Sequence, residues 1–239
     1  MSANVIEYSQ PLEQRDLEQF VGKKIGYYVG SFDPVHEGHR AVVEQLFTND
    51  QVDYVLVYPA PGGDVYKNRS HFALRQQMLE TVFKVNARVI LSRTSPAEIQ
   101  KMLSPYFGKI EFIGIIGSDV LRDHLTNPDE AMRQKMLSVY MRGVTIPAKH
   151  ANTTIGAIMA IPVTSFIVSI REGDNADYAK GHLEDRPLSG INIHKTTGEI
   201  SSTKIKKALQ LGETTEGVLD AGVRMIIDEN KLYSITMSK

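Results

Sequence analysis

The sequence predicts an α/β protein built on a parallel sheet with helices on both faces. Three features indicate this: short apolar, β-branched runs typical of buried strands, helical patterns between them, and turn residues at the junctions. Strands are predicted at 24–30, 52–58, 89–91, 110–116, 163–170 and 191–194, and helices at 12–21, 39–47, 71–83, 96–103, 129–140, 202–211 and 219–230. Such alternation is typical of a doubly wound, Rossmann-like sheet, here with a C-terminal helical segment.

The strand–helix alternation leaves three stretches of the chain outside it. We expect a single domain over residues 1–239, in which residues 1–22 form a polar N-terminal extension. Residues 121–161 are interpreted as an insertion that bears an interface or a lid. Residues 173–190 are rich in charged and turn residues and are predicted to form a loop.

The composition limits the classes of partner. The 27 basic and 28 acidic side chains give a net charge of -1, so neither nucleic acid nor an anionic membrane is expected to bind by bulk charge. The absence of cysteine excludes disulfides and thiolate chemistry and favours a reducing compartment. No signal-peptide pattern is visible, and no apolar run reaches the roughly 18 residues of a membrane helix. We therefore expect a cytoplasmic protein with small-molecule ligands, and a homo-oligomer is compatible with the sequence.

The loop after the first predicted strand occupies the place where parallel sheets bind ligands. Gly30 and Gly38 allow the backbone to turn or to approach a ligand closely. His36 and His39 are three positions apart at the start of the next helix, so both can face an anion bound at the free N–H groups there. The loop therefore predicts an anion site.

Two segments resemble motifs of a known superfamily. Gly-Ser-Phe-Asp-Pro-Val-His-Glu-Gly-His, residues 30–39, closely resembles the His-x-Gly-His signature of the nucleotidyltransferases. Ile-Ser-Ser-Thr-Lys-Ile-Lys, residues 200–206, resembles the Ile-Ser-Ser-Thr-x-Ile-Arg motif of the nicotinate and nicotinamide mononucleotide adenylyltransferases. Two motifs in the right order are more specific than either alone. Weaker resemblances are Lys67 followed by Arg75 and Met78, Gly117-Ser-Asp119, the strand that ends at Arg171, and the closing Leu232-Tyr233 pair.

The resemblance implies an enzyme that transfers AMP from ATP to the phosphate of nicotinate or nicotinamide mononucleotide and releases pyrophosphate, a step of NAD biosynthesis. It implies catalytic roles for His36, His39 and Lys206. The implied ATP-binding residues are Gly30, Ser31, Phe32, Gly38, Gly117, Asp119, Ser201, Ser202 and Thr203. Lys67 and Arg75 would bind the acceptor. Mg²⁺ is expected as the ion that accompanies ATP, held mostly by phosphate oxygens rather than by a site of protein ligands.

Two departures from the family pattern concern the substrates. Lys206 replaces an arginine and loses its two-pronged fork, so we expect weaker triphosphate binding. The chain has no tryptophan to stack on a pyridine ring, which leaves Tyr66, Phe72 or Tyr106 as candidates.

Other functions also fit the sequence. They are adenylyl transfer to pantetheine phosphate, CTP-dependent transfer, and a nucleotide-binding regulator without activity. The motifs also have plainer interpretations, namely an ordinary helix cap at 201–203 and solvated charges at Lys67 and Arg75.

Overall fold

The computed structural model of this protein describes residues 11–60, 69–126, 154–170, 180–183, 185–192 and 200–234. The helix expected over 129–140 lies outside these ranges.

The strands in the described ranges form one sheet. They are β1 Lys24–Gly30, β2 Tyr54–Pro59, β3 Val89–Leu91, β4 Glu111–Gly117, β5 Ser165–Ile170, β6 His182–Leu183 and β7 Arg186–Asn192. Their order is β3-β2-β1-β4-β5-β7-β6, and every neighbouring pair is parallel except β6 and β7. The predicted parallel, Rossmann-like sheet is confirmed.

Helices cover both faces of this sheet. They are α1 Glu37–Thr48, α2 Phe72–Phe83, α3 Pro96–Leu103, α4 Ser118–Thr126, α5 Thr154–Ile158, α6 Ser202–Leu211 and α7 Ala221–Glu229. One buried cluster receives side chains from α1, α2 and α7, and the other from α3 and α5. Alternate residues of β1 pack into different clusters, Tyr27 into one and Tyr28 into the other. The reason is that successive side chains of a strand point to opposite faces of the sheet. Within the described ranges, no helix combines the length and apolar character of a membrane span.

Two local predictions are wrong. The helix expected over 12–21 is replaced by two 3-10 helices, Leu12–Gln14 and Leu17–Phe20. The loop expected over 173–190 contains β6 and most of β7, and β7 pairs with β5 from Leu188 to Asn192.

The start of the described chain covers the β3 edge of the sheet. Leu12 and Phe20 are fully buried in the core. Arg15 lies between the two 3-10 helices and donates hydrogen bonds of 3.1 Å to the backbone oxygens of Ala87 and Val89. An unpaired strand edge invites association with other chains, so residues 11–20 shield the sheet as well as fill its core.

We predict that Leu12→Ala lowers the free energy of unfolding by about 2–4 kcal/mol, because it leaves a cavity in the core. Val21→Ala is the matched control: Val21 is 42% exposed, so its truncation should change stability by less than about 0.5 kcal/mol. Denaturant unfolding measures both. Equal effects of the two substitutions would show that the N-terminal segment does not belong to the core.

Candidate active site

A pocket of about 260 Å³ opens at the carboxyl ends of three parallel strands. Gly30 ends β1, Gly117 ends β4, and Ser169 lies near the end of β5. Most residues predicted to bind ATP or to act in catalysis line this pocket: Gly30, Ser31, His39, Gly117, Asp119, Ser201, Ser202, Thr203 and Lys206. The fold thus brings together segments that are about 170 positions apart in the sequence.

The two histidines of the first motif lie at the start of α1 in different positions. His39 lines the pocket, whereas His36 is only 4% exposed and is not part of the lining. Their ring centroids are 3.8 Å apart and their planes are tilted by 31°. The backbone N–H of His36 donates to Nδ1 of His39 at 3.2 Å. Because Nδ1 accepts this bond, the proton of a neutral His39 ring lies on Nε2. His36 therefore fixes both the position and the tautomer of His39.

Phe32 and Gly38 support the histidines from behind the pocket. The Phe32 ring is fully buried and lies edge-on to His39, with centroids 4.8 Å apart. The Phe32 side chain is not part of the pocket lining and packs against the His39 ring. A Cβ atom at position 38 would lie 3.0 Å from Cε1 of His36, so glycine leaves room for the close approach of that ring.

At the end of β4, Gly117 makes room for Asp119. A Cβ atom at position 117 would overlap Oδ1 of Asp119. The carboxylate therefore lies close to the strand end, where both residues line the pocket. This places a hydrogen-bond-accepting group at the pocket wall, in the first turn of α4.

The first turn of α6 forms another wall of the pocket. Ser201 caps the helix, since its Oγ accepts the N–H of Lys204 at 3.2 Å. Ser202 donates from Oγ to the backbone oxygen of Pro34 at 3.1 Å, which ties α6 to the loop after β1. A helix start carries partial positive charge and unsatisfied N–H groups. With α1, it gives the pocket two helix ends that suit an anion.

Lys206 lines the pocket and is engaged by a buried carboxylate. Its Nζ lies 2.5 Å from Oδ2 of Asp33, whose side chain is 1% exposed. Tyr233 donates from its hydroxyl to the other oxygen of Asp33 at 2.6 Å, and the N–H of Ser70 donates to Oδ2 at 3.2 Å. Burial alone raises the pKa of the Asp33 carboxyl, but the hydrogen bonds from Lys206, Tyr233 and Ser70 hold that pKa below its ordinary value. Asp33 is therefore a carboxylate at neutral pH, held by three donors.

Arg75 was predicted to bind the acceptor, but it lies beneath the pocket and does not reach it. It is fully buried and is not part of the lining. Its guanidinium donates to the backbone oxygens of Ser70, Ser31 and Ala60 at 3.0, 2.8 and 2.9 Å. Burial, followed by the charge of Arg69, lowers the pKa of Arg75 to about 10, so the group stays protonated at neutral pH. Arg75 holds the loops after β1 and β2 together.

Seven of the lining residues were not predicted from the sequence: Tyr28, Val29, Asp33, Arg69, Val120, Thr154 and Ser169. Arg69 donates from Nε to Oγ of Ser31 at 3.0 Å. The pocket therefore has a second cationic side chain in addition to Lys206. Arg69 stands in the segment between the second predicted strand and the next helix, and segments that follow parallel strands lie at the ligand-binding edge. Thr154 and Ser169 had no motif around them.

The other acceptor predictions have different outcomes. Lys67 and Tyr66 lie outside the described residues. Tyr106 ends a 3-10 turn that precedes β4, at the edge of the sheet opposite the pocket. Phe72 begins α2 and packs on Tyr58 with ring centroids 5.8 Å apart, near the carboxyl end of β2. Of the described candidates, only Phe72 lies on the pocket side of the sheet.

Across the described ranges, no group of three or more His, Asp or Glu side chains is placed to hold a metal ion.

The model of the cytidylyltransferase-like family matches residues 27–208, which include both motifs and most of the pocket. The chain belongs to this family. This cytidylyltransferase-like chain is also similar to curated proteins over most of its length. A Fusobacterium nucleatum protein named "Probable nicotinate-nucleotide adenylyltransferase" is 29% identical over 217 residues, which is 86% of this chain and 97% of that protein. A Thermotoga maritima protein of the same name is 25% identical over 217 residues, 87% of this chain and 92% of that protein.

A solved structure is similar in fold to this chain. It is the Plasmodium falciparum nicotinic acid mononucleotide adenylyltransferase complexed with NaAD, with a TM-score of 0.58 and 17% identity. The match covers 88% of this chain and 97% of that chain. At this identity the similarity concerns the fold alone.

We predict that Arg75→Met lowers the free energy of unfolding by at least about 3 kcal/mol, because three buried carbonyls lose their donor. Arg69→Met is the control, since Arg69 is partly exposed and its loss should cost less than about 1 kcal/mol. Both are measured by urea unfolding. Wild-type stability of the Arg75 variant would refute its structural role and restore it as a candidate for acceptor binding.

Proposed function

We propose that the chain is an adenylyltransferase that moves AMP from ATP onto the phosphate of nicotinate or nicotinamide mononucleotide and releases pyrophosphate. The observation that carries this proposal is the pocket in which the two motifs meet, with His39, the start of α6 and Lys206 on its walls. The names of the relatives that align with most of the chain support the choice of acceptor.

The pocket suits a nucleoside triphosphate because its charges are complementary to that ligand. Two helix starts, Lys206 and Arg69 provide positive charge and N–H donors for phosphate oxygens. Asp119 provides an acceptor for the ribose hydroxyls. Ser202 and Thr203 would bind the β- and γ-phosphates at the start of α6.

The proposed reaction is an in-line displacement at the α-phosphorus. An oxygen of the acceptor's phosphate forms a bond to this phosphorus, and the bond to the oxygen bridging to the β-phosphate breaks. That oxygen keeps the electron pair and leaves as part of pyrophosphate. A phosphate monoester has a second pKa of about 6, so the attacking group is already ionised at neutral pH and needs no base.

The protein would contribute position and charge rather than a covalent intermediate. His39 would donate from Nε2 to an oxygen of the α-phosphate as negative charge builds there. His36 would keep the His39 ring in place. Lys206 would stabilise the leaving pyrophosphate. Mg²⁺ would enter with ATP on phosphate oxygens and neutralise part of their charge. The Mg²⁺ requirement and a cytoplasmic location stay predictions.

For the acceptor, we propose a site between Ser31 and the loop after β2. Arg69, hydrogen-bonded to Ser31, is the described cation best placed for the acceptor's phosphate, and Lys67 remains a sequence-based candidate. Phe72 is the described aromatic residue proposed to lie near the pyridine ring.

The test is pyrophosphate release from MgATP with nicotinate mononucleotide, nicotinamide mononucleotide or pantetheine phosphate. We expect turnover with a pyridine mononucleotide, and a drop in kcat of about 100- to 1000-fold in His39→Ala, because one donor to the transition state is lost. His182→Ala is the matched control, since His182 is exposed on β6 and does not line the pocket.

Other outcomes would contradict the proposal in distinct ways. Turnover with CTP but not ATP would indicate a cytidylyltransferase. Turnover with pantetheine phosphate alone would change the acceptor. ATP binding without pyrophosphate release from any acceptor would indicate a regulator.

A further inference from the structure

Lys206, Asp33 and Tyr233 form a closed triangle at the wall of the pocket. Asp33 accepts from Lys206 on one carboxylate oxygen at 2.5 Å and from Tyr233 on the other at 2.6 Å. The third side is a cation–π contact, with Nζ of Lys206 4.7 Å from the centroid of the Tyr233 ring. The three residues come from the loop after β1, from α6 and from the segment after α7.

The three members of the triangle differ in their access to the pocket. Asp33 and Lys206 line it, and Tyr233 does not. The Lys206 side chain keeps 27% of its surface exposed, while that of Asp33 is buried. A phosphate in the pocket can therefore reach Lys206, but it meets Tyr233 only through the other two residues.

A lysine held in this way binds phosphate at lower entropic cost. Its four-carbon chain has many rotamers, and fixing them at the moment of binding weakens affinity. In this structure the carboxylate and the aromatic ring fix the ammonium group beforehand. Since Tyr233 and Ser70 also donate to Asp33, part of the carboxylate's charge is compensated by groups other than Lys206.

We propose that Tyr233 is a positioning residue for the triphosphate: its hydroxyl fixes Asp33, and Asp33 in turn holds the ammonium group of Lys206 at the pocket wall. The proposal rests on the proposed function in that the ligand is a nucleoside triphosphate. Through this triangle the segment after α7 affects nucleotide affinity without touching the nucleotide.

The test is Tyr233→Phe, which keeps the ring over Lys206 and removes only the hydroxyl. We expect the Kd for MgATP, measured by calorimetry without acceptor, to rise about five- to tenfold, because Asp33 no longer holds Lys206 and the lysine side chain must be ordered when ATP binds. The KM for ATP should rise in parallel, while the KM for the acceptor stays unchanged and kcat changes less than the KM for ATP.

A double-mutant cycle separates positioning from a general loss of structure. In a Lys206→Met background, Tyr233→Phe should change the Kd for MgATP by less than about twofold, because the residue it positions is gone. Tyr106→Phe is the matched control: it removes a tyrosine hydroxyl at the opposite edge of the sheet and should leave the Kd unchanged.

Several results would overturn the proposal. They are an unchanged Kd in Tyr233→Phe, an equal rise with and without Lys206, and a wild-type chain that does not bind MgATP. A failure of the proposed function is distinguishable, because it appears as wild-type binding of MgATP without pyrophosphate release, while the Kd values still decide the role of Tyr233.

Discussion

The carboxylate of Asp33 is the interaction on which the candidate active site depends. Burial of a charge is costly unless every oxygen finds donors, and removing one partner of a buried pair is strongly destabilising. The donors to Asp33 come from three separate parts of the chain: Lys206 on α6, Tyr233 after α7 and Ser70 before α2. The loop after β1 therefore takes its shape only when these parts are assembled around it. The same loop carries Ser31 and leads into α1, where the pocket-lining His39 lies.

A second buried charge stabilises the same loop from below. Arg75 binds the backbone oxygens of Ser31 and Ala60, so it joins the ends of β1 and β2, while Asp33 joins the same loop to α6. Parallel neighbouring strands end at the same edge of the sheet, so the loops that follow them lie close together there. The pocket is thus built at the ends of strands and the starts of helices, and the contacts of Arg75 and Asp33 hold its walls in place.

Much of the fold was predictable because the core strands are continuous apolar runs, as in β1 and β4. β7 was not, since Arg186–Asn192 has no such run and becomes a strand through backbone pairing with β5. The pocket residues were predictable where a motif marked them. The pairing of Asp33 with Lys206 was not, because nothing local in the sequence links residues 173 positions apart. The burial of Arg75 could not be predicted from the sequence either, because its partners are backbone oxygens, which no sequence pattern marks.

The most direct measurement of the central role of Asp33 is the free energy of unfolding of wild type and Asp33→Asn between pH 7 and about pH 3. The folded-state pKa of Asp33 is lowered, so its contribution is complete above the unfolded-state value of about 3.9 and is lost as the pH falls through the folded-state pKa. We predict that Asp33→Asn is less stable by about 2 kcal/mol at pH 7, and that this difference shrinks as the pH approaches 3. Equal stability at pH 7, or a difference that does not change with pH, would contradict the account.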